Sequence, residues 1–455
     1  MDAIFRFAEH VAGTGYDDLP PAAVAAAKTF ILDTLGVGIA GSGGPWTNEL
    51  VEVQASFGRG AEARVWGRGD RLPAPAAAMC NGYQIHNSEF DCVHERAVIH
   101  PMTVAMAAAL AVAEREGGIG GRELIAAAVL GVDVACHLGV ASKSKLKFFR
   151  PATAGAFAAC AAIGKLRGFD AARVRNAMSI AYGQLCGTMQ AHTEGSILLG
   201  MQIGFNARNA VIACDMAARG LEAPQGVLEG PFGYLRLFEG EYELAPVLAD
   251  LGRVWRITEV AHKPFPSGRA THGIADAVLS LQREHGFEAG EIERAVTRVP
   301  PLTHHLVGRP IRDGMGANYG RLCAAYVAAR LLLKGSIGVE DFSAEALAAP
   351  DVLALGRRFD IGIDDNPDPN ALTPVSVEVV LKGGARHATT VEVVYGNPAK
   401  PLSREAHLDK FRRNWRAAAR PLDEATAERQ IELVDGLEGV DDVGVLVDQM
   451  VPRSA

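Results

Sequence analysis

The segment from Cys80 to Glu116 constrains the fold and the chemistry of this chain more than any other. Its first half places seven titratable side chains within fifteen positions, namely His86, Glu89, Asp91, His94, Glu95, Arg96 and His100. Its second half, from Val104, is almost wholly apolar and rich in alanine. Pro101 joins the halves and is typical of the first turn of a helix. The pattern predicts proton-transferring groups at the start of a buried helix, although a polar loop entering a core helix has the same pattern.

The composition sets broad limits on what the chain can be. Hydrophobic residues make up 49% of the 455 residues and charged residues 22%, which predicts a sizeable core and little disorder. Aromatic residues are only 6% and alanine is abundant, which favours close-packed helices. The net charge is −8 and no block of lysine and arginine occurs, so nucleic acid is not an expected partner.

The cysteines and the apolar segments bear on compartment. The seven cysteines are scattered and form no C-x-x-C pair, which argues against a zinc or iron–sulfur site and suits a reducing cytoplasm. The first residues carry no secretory signal pattern. Glu114 interrupts the most apolar run, so we expect no segment of the ~20 residues that a membrane span needs. These observations predict a cytoplasmic protein without membrane contact.

Apolar residues at helical spacing dominate the first 260 positions. They predict helices at Pro20–Ala40, Thr47–Phe57, Pro73–Tyr83, Arg122–His137, Pro151–Lys165, Ala171–Ser179 and Gly204–Arg219. The glycine-rich segments 41–45 and 117–121 are interpreted as loops, because they lack the residues of a phosphate-binding motif.

The pattern changes at Lys263. The following residues predict strands at Arg294–Val299, Val375–Leu381 and His387–Val394, with helices at Gly273–His285 and Tyr319–Leu333. Helical spacing returns from Arg404. We therefore predict a mainly α fold, in which residues 1–262 and 401–455 form a large all-helical domain and residues 263–400 an inserted, smaller α+β domain.

Two motifs within this plan resemble those of one known family. The earlier motif reads N-G-Y-Q-I-H-N-S-E-F-D from Asn81 and leads to H-P at His100. The later motif reads K-P-F-P-S-G-R-A-T-H from Lys263. At this spacing they resemble the MmgE/PrpD family, which includes 2-methylcitrate dehydratase, cis-aconitate decarboxylase and iminodisuccinate epimerase. The resemblance covers nearly the whole chain.

The resemblance implies an architecture and an activity. Members of the family have a large helical domain formed by both ends of the chain and an α+β lid, and they are typically homodimers without metal or organic cofactor. Their active site lies between the domains. We therefore expect a cofactor-free lyase, foremost a dehydratase of a small hydroxy-di- or tricarboxylate, that begins by removing a proton beside a carboxylate.

The resemblance also assigns candidate residues. The expected catalytic residues are His100, Asp91, Glu89, His272 and Lys263. The expected substrate-binding residues are Arg269, Arg150, Tyr319, His94 and His86. For Lys263 and Arg269 the alternative is a salt bridge between the lid and the helical domain. The adjacent His304 and His305 look metal-like, but on one strand they would point to opposite faces, so we expect no joint metal ligation.

Three positions depart from the family pattern. Arg150 stands where the family usually has a histidine, Leu199 where many members have a lysine, and Gly268 where cis-aconitate decarboxylase has a histidine. Because an arginine cannot deliver a proton near neutral pH, we expect Arg150 to bind a carboxylate. The departures argue for a different substrate. An isomerase or epimerase, a decarboxylase, and a non-catalytic protein that binds a small acid are the alternatives.

Overall fold

The computed structural model describes residues 1–58 and 60–452. Helices dominate the part before Lys263: α1 (Ile4–Gly13), α2 (Pro21–Gly41), α3 (Thr47–Ser56), α4 (Ala74–His86), α5 (Pro101–Glu116), α6 (Gly121–Ala141), α7 (Arg150–Leu166), α8 (Ala171–Tyr182), α9 (Gln190–Glu194), α10 (Leu198–Ala218) and α11 (Ala245–Asp250). Two short antiparallel strands, β1 (Ala63–Arg64) and β2 (Arg71–Leu72), interrupt them.

The second part of the chain combines helices with a sheet. Its helices are α12 (Thr271–His285), α13 (Pro301–Val307), α14 (Ala317–Arg321), α15 (Ala324–Lys334), α16 (Ala344–Leu347) and α17 (Pro350–Gly356). Its strands are β3 (Ile292–Val299), β4 (Phe359–Ile363), β5 (Val375–Leu381) and β6 (Arg386–Val391). The sheet order is β4-β3-β5-β6, in which only the β3–β4 pair is parallel. The chain then closes with α18 (Arg404–Arg416), α19 (Glu424–Asp435) and α20 (Gly444–Asp448).

Helix α5 lies at the centre of the helical part. Every residue from Pro101 to Ala113 is buried, as expected of a helix that is apolar on all sides. Small residues let its neighbours approach closely. A Cβ on Gly155 of α7 would lie 2.5 Å from a methyl carbon of Val104 of α5. This packing holds α5 in a fixed position. The titratable segment, residues 86–100, leads directly into the first turn of α5.

The structure contains two hydrophobic cores. One collects buried residues of the first 260 positions together with Phe411, Trp415 and Leu446 from the C-terminal helices. The other collects residues between Ala270 and Val379. The fold is thus mainly α with a smaller α+β unit, as the sequence predicts; the exact boundaries at 262/263 and 400/401 stay a prediction. We call the α+β unit the lid.

Several local expectations are wrong. Residues Tyr319–Leu333 do not form one helix, because the chain breaks between α14 and α15. His304 and His305 lie on helix α13 rather than on a strand. Strand β4 was not predicted from the sequence, because its apolar and polar residues alternate only weakly. The turn between β5 and β6 is present where the pattern predicts it.

Two helices are also more apolar than expected. By length and composition α2 and α6 could cross a membrane, which corrects the expectation that no segment reaches that length. In the fold, 67% of the apolar window of α2 and 100% of that of α6 lie buried inside the protein. Core helices of this kind meet the same criterion, so their composition is explained by the packing around α5.

Candidate functional site

A small cavity lies between the helical part and the lid. It encloses about 70 Å³, and its walls include Glu89, His100 and His192 from the helical part and Gly268 and Arg269 from the lid. Ligand pockets usually measure ~300–1,000 Å³, so we expect a substrate to enter only when the lid moves away. A larger cleft of about 920 Å³ lies beside Asn87 and Ser88, but none of the predicted catalytic residues lines it.

The backbone is strained on two sides of this cavity. Glu89 and Val98 both have φ of 52°, in the left-handed region that residues other than glycine rarely adopt. Both residues line the cavity. Such conformations cost roughly 1–3 kcal/mol each and occur preferentially at functional sites. The loop between α4 and α5 is therefore held in place by its surroundings, which directs Glu89 and His100 to the same space.

Asp91 is the centre of a buried polar cluster beneath the cavity. Its Oδ2 lies 2.9 Å from His86 Nδ1 and 3.3 Å from His100 Nδ1, and it accepts a hydrogen bond of 2.8 Å from the Thr103 hydroxyl. Burial would raise the pKa of Asp91, but the neighbouring His100, His86 and Lys263 hold that pKa well below its ordinary value. Asp91 is thus a permanent anion that orients two imidazole rings.

His100 has the geometry of a general base. Its Nδ1 lies 3.0 Å from the carbonyl oxygen of Cys92 and near Asp91, and both of these groups can only accept, so Nδ1 carries the proton. Nε2 then presents its lone pair, and no hydrogen-bond partner for it occurs among the described residues. Burial lowers the pKa of His100 to about 4, which keeps the ring neutral near pH 7.

The environment shifts the pKa of His86 in the direction opposite to that of His100. Burial would lower the pKa of His86, but the charges of Asp91 and Glu89 outweigh it and raise that pKa above the ordinary value. The two rings lie 4.9 Å apart between centroids, in an edge-to-face arrangement. Two imidazoles whose pKa values are shifted in opposite directions are typical of sites in which environment separates acid from base.

Lys263 connects the lid motif to this cluster. Its Nζ donates hydrogen bonds of 2.9 Å to Glu89 Oε2 and 3.1 Å to the Glu89 carbonyl oxygen, and it lies 3.7 Å from Asp91 Oδ1. Burial would raise the pKa of Glu89, but Lys263 and His86 outweigh it and lower that pKa to about 2. The structure therefore brings together five of the predicted residues: His86, Glu89, Asp91, His100 and Lys263.

Two arginines that were expected to bind a substrate carboxylate instead contact other groups of the protein. The buried Arg150 pairs with Glu239 at 2.8 Å and donates to the Ala97 carbonyl and the Ser142 hydroxyl. Arg269 lines the cavity, but its guanidinium donates to Glu95 and to the carbonyl oxygens of His262, Val394 and Tyr395. The contacts of both arginines do not support the expected binding of a substrate carboxylate.

Three further predicted residues lie outside the cavity. His272 stacks on Phe265 at 4.0 Å and bonds the Ser267 carbonyl; burial, together with Arg269, lowers its pKa well below the ordinary value. Tyr319 donates its hydroxyl to the Pro310 carbonyl. His94 bonds Glu259 at 2.8 Å. Their contacts indicate structural roles in this conformation.

His192 is a cavity residue that the sequence assignment left out. His192 lines the cavity, and its buried Nδ1 has no hydrogen-bond partner among the described residues. Burial, helped by Arg309, lowers the pKa of His192 to about 3. The segment Q-A-H-T-E-G has no helical or strand periodicity from which the position of His192 in the fold could be predicted. The only indication in the sequence is the isolated histidine itself.

The cluster also has donors that could bind a cation. One ligand atom each from His86, Glu89, Asp91 and His100 lies within 4.8 Å of the others. Lys263 Nζ lies 2.9 Å from Glu89 Oε2 and 3.7 Å from Asp91 Oδ1, so an ammonium group already lies beside the two carboxylates. The expectation that the chemistry needs no metal stays a prediction.

Comparison with known proteins identifies the family of the chain. The model of the MmgE/PrpD N-terminal domain matches residues 5–246, and that of the MmgE/PrpD C-terminal domain matches residues 265–438. The chain belongs to the MmgE/PrpD family. Curated relatives include the cis-aconitate decarboxylases of Homo sapiens and Mus musculus, 30% and 29% identical over 97% of this chain and over 92% and 91% of the relatives. The cis-aconitate decarboxylase of Aspergillus terreus is 28% identical over 95% of this chain and 92% of its own length.

These MmgE/PrpD relatives are lyases, which supports the lyase class for this chain at that coarse level.

The three departures from the family pattern have clear positions in the structure. Gly268 lines the cavity, where a Cβ would meet Leu322 at 2.8 Å. Leu199 is buried in α10 and Arg150 is paired with Glu239. None of the three contributes a cation or a proton donor to the cavity.

Proposed function

We propose that the protein is a cofactor-free lyase that acts on a small carboxylic acid, with His100 Nε2 transferring a proton at the carbon beside the carboxylate. The observation that carries this proposal is the tautomer of His100, in which Nδ1 is held by Cys92 and Asp91 and Nε2 is available at the cavity. A neutral imidazole can take the proton, and the nearby Asp91 anion stabilises the resulting imidazolium.

The rest of the cluster supports this role of His100. Lys263 Nζ is paired with Glu89, and Asp91 lies against both His86 and His100, so proton uptake by His100 adds one positive charge beside the Asp91 anion. Negative charge then developing on the substrate lies close to the new imidazolium. This arrangement favours the charge-separated transition state over the ground state, which is the condition for acceleration.

Two lyase reactions can use His100 Nε2, with the proton moving in opposite directions. In a dehydration, neutral His100 removes the proton beside the carboxylate, and the hydroxyl on the neighbouring carbon takes up a proton from solvent and leaves as water. In a decarboxylation, a carboxylate leaves as CO₂ and the resulting carbanion takes a proton from His100 Nε2, which must first gain that proton from solvent. The sequence departures argue against the known decarboxylation and against a typical 2-methylcitrate dehydratase, whereas the named relatives are decarboxylases. Both reactions remain within the proposal.

The test is an NMR experiment in D₂O with a panel of small acids. A lyase yields CO₂ or water together with a new olefin or a deuterated product, and His100→Gln abolishes both. Deuterium exchange without loss of a group would instead indicate an isomerase or epimerase. An acid that binds but shows no exchange at all would indicate a non-catalytic binding protein and would contradict the proposal.

A further inference from the structure

We propose that the cleft of about 920 Å³ beside Asn87 and Ser88 is a second binding site, which holds a small organic anion through a carboxylate or phosphate group at Arg321. The cleft and the cavity that contains His100 share no lining residue in the described part of the chain. The inference therefore goes beyond the proposed lyase reaction. It follows from the position of the cleft, from its unpartnered donors and from the charges on its walls.

The cleft lies where three parts of the fold meet. The helical part contributes the loop after α2 and the loop between α4 and α5. The lid contributes α14 and the segment after α15, and helix α18 provides a further side. The volume falls within the ~300–1,000 Å³ that is usual for sites of small molecules. A molecule bound there contacts the helical part and the lid at the same time.

Three buried hydrogen-bond donors on the walls of the cleft have no partner among the described residues. They are Arg321 Nε, Asn414 Nδ2 and Ser88 Oγ. Each of these residues is at most 4% exposed. A buried polar group without a partner costs ~1–3 kcal/mol, and an oxyanion with several acceptor oxygens would satisfy more than one of these donors. Asn87 Oδ1 is also unpartnered, and it can accept from a hydroxyl group of the ligand.

Arg321 is a buried cation for which the described residues provide no ion pair. Its Nη1 donates a hydrogen bond of 2.7 Å to the Asn87 carbonyl oxygen, and its guanidinium carbon lies 5.2 Å from the centre of the Phe342 ring. Glu89 acts on its charge, but that carboxylate is bound by Lys263. Burial lowers the pKa of Arg321 to about 10, so the group is charged at pH 7. A buried charge is costly without a partner, and a carboxylate or phosphate matches the geometry of a guanidinium.

The other charged groups of the cleft also favour an anion. Glu340 is the one acid that lines it in the described part of the chain, and Lys334 lies 3.3 Å from this carboxylate. Arg416 is exposed and is paired with Glu424 at 2.7 Å. The basic side chains on the walls are Arg321, Lys334, Arg413 and Arg416. The excess of positive charge attracts an anion to the cleft and repels a cation.

The experiment titrates tricarballylate and pyrophosphate separately into the full-length protein by isothermal calorimetry. Tricarballylate provides carboxylates but has neither a hydroxyl group nor a double bond, so it cannot lose water. Pyrophosphate provides phosphate groups. We expect binding in the cleft, and the tighter of the two probes identifies the kind of anion. Arg321→Met should weaken this binding at least tenfold, and Asn414→Leu at least threefold, because each removes a donor.

Arg416→Met is the matched control. Arg416 lines the same cleft but is exposed and already paired, so its loss should change the affinity less than twofold. Thermal unfolding without ligand shows whether each variant is folded. If Arg321→Met does not fold, Asn414→Leu decides the question alone.

Three results would overturn the inference: no binding of either probe, an unchanged affinity of Asn414→Leu, or an equal loss of affinity in Arg321→Met and Arg416→Met. Binding in the cavity alone gives the second result, because Asn414 does not line the cavity. The lyase proposal is tested separately by His100→Gln. That variant should lose turnover and still bind the probe in the cleft.

Discussion

Lys263 Nζ lies 2.9 Å from Glu89 Oε2, although the two residues are 174 positions apart in the chain. Lys263 opens the lid motif, and Glu89 lies in the strained loop that leads to α5. The ion pair therefore joins the two parts of the molecule directly beneath the cavity. Opening of the lid has to stretch or break this contact, so access to the cavity and the charge of the cluster are coupled.

His100→Gln should reduce kcat by about 10²–10⁴-fold, because glutamine keeps a hydrogen bond but cannot take up a proton. Ligand affinity should change little. The control is His94→Gln, a histidine of the same loop that bonds Glu259 away from the cavity. Steady-state kinetics on a substrate found in the panel measure both. Near-normal turnover of His100→Gln would show that another group transfers the proton.

The pH profile of the wild-type enzyme offers an independent check of the same residue. Burial lowers the pKa of His100 to about 4, so the base stays unprotonated well below the ordinary histidine range. The acid limb of kcat/KM should accordingly lie closer to pH 4 than to 6.5, provided that rates are taken before the protein unfolds. An acid limb at or above 6.5 would contradict the assigned state of His100.

Lys263→Met should lower the free energy of unfolding by about 3–5 kcal/mol, because Glu89 and Asp91 would remain buried without their cation. Urea unfolding followed by circular dichroism measures the change. Lys400→Met is the control, since the Lys400–Asp276 pair is half exposed and should contribute no more than about 1 kcal/mol. Equal effects of the two variants would mean that the Lys263 pair is not a buried link.

Arg150→Met should act on stability rather than on substrate binding, in contrast to the expectation from the sequence alone. It leaves Glu239 buried without its partner, which costs about 3–5 kcal/mol. The double variant Arg150→Met/Glu239→Leu should recover much of this loss, because it removes both charges together. A raised KM with unchanged stability would instead show that Arg150 binds the substrate.

Acid should destabilise the fold below pH 6.5. Burial lowers the pKa of six histidines in the folded state: of His192 and His262 to about 3, of His100 and His407 to about 4, and of His137 and His272 below the ordinary value. Between those values and 6.5 the unfolded chain binds protons that the folded chain does not, so stability falls as the pH falls. We expect a loss of at least about 2 kcal/mol between pH 7 and pH 5.

His407→Gln should make this loss smaller, because one of the buried histidines is removed. His387→Gln, on the partly exposed strand β6, is the control and should leave the pH dependence unchanged. Urea midpoints at a series of pH values measure both variants. A wild-type stability that is flat from pH 7 to pH 5 would show that these histidines do not remain neutral in the fold.

The sequence by itself determined the family, the mainly helical plan and five residues that the structure brings together in the candidate site. Those results depend on local information. Helical spacing and prolines mark α5 and its start at Pro101, and the two motifs carry His100 and Lys263. The domain boundaries predicted from the changes of pattern near Lys263 and Arg404 stay a prediction.

Only the tertiary structure decided which cations are paired with other groups of the protein. Arg150 contacts Glu239, 89 positions later, and Arg269 contacts Glu95, 174 positions earlier. Short-range periodicity relates residues three or four positions apart and cannot show such pairs. An ion pair forms where packing brings two charges within about 4 Å, and that distance is set by how distant helices and the lid meet around α5. The same packing places His192 at the cavity.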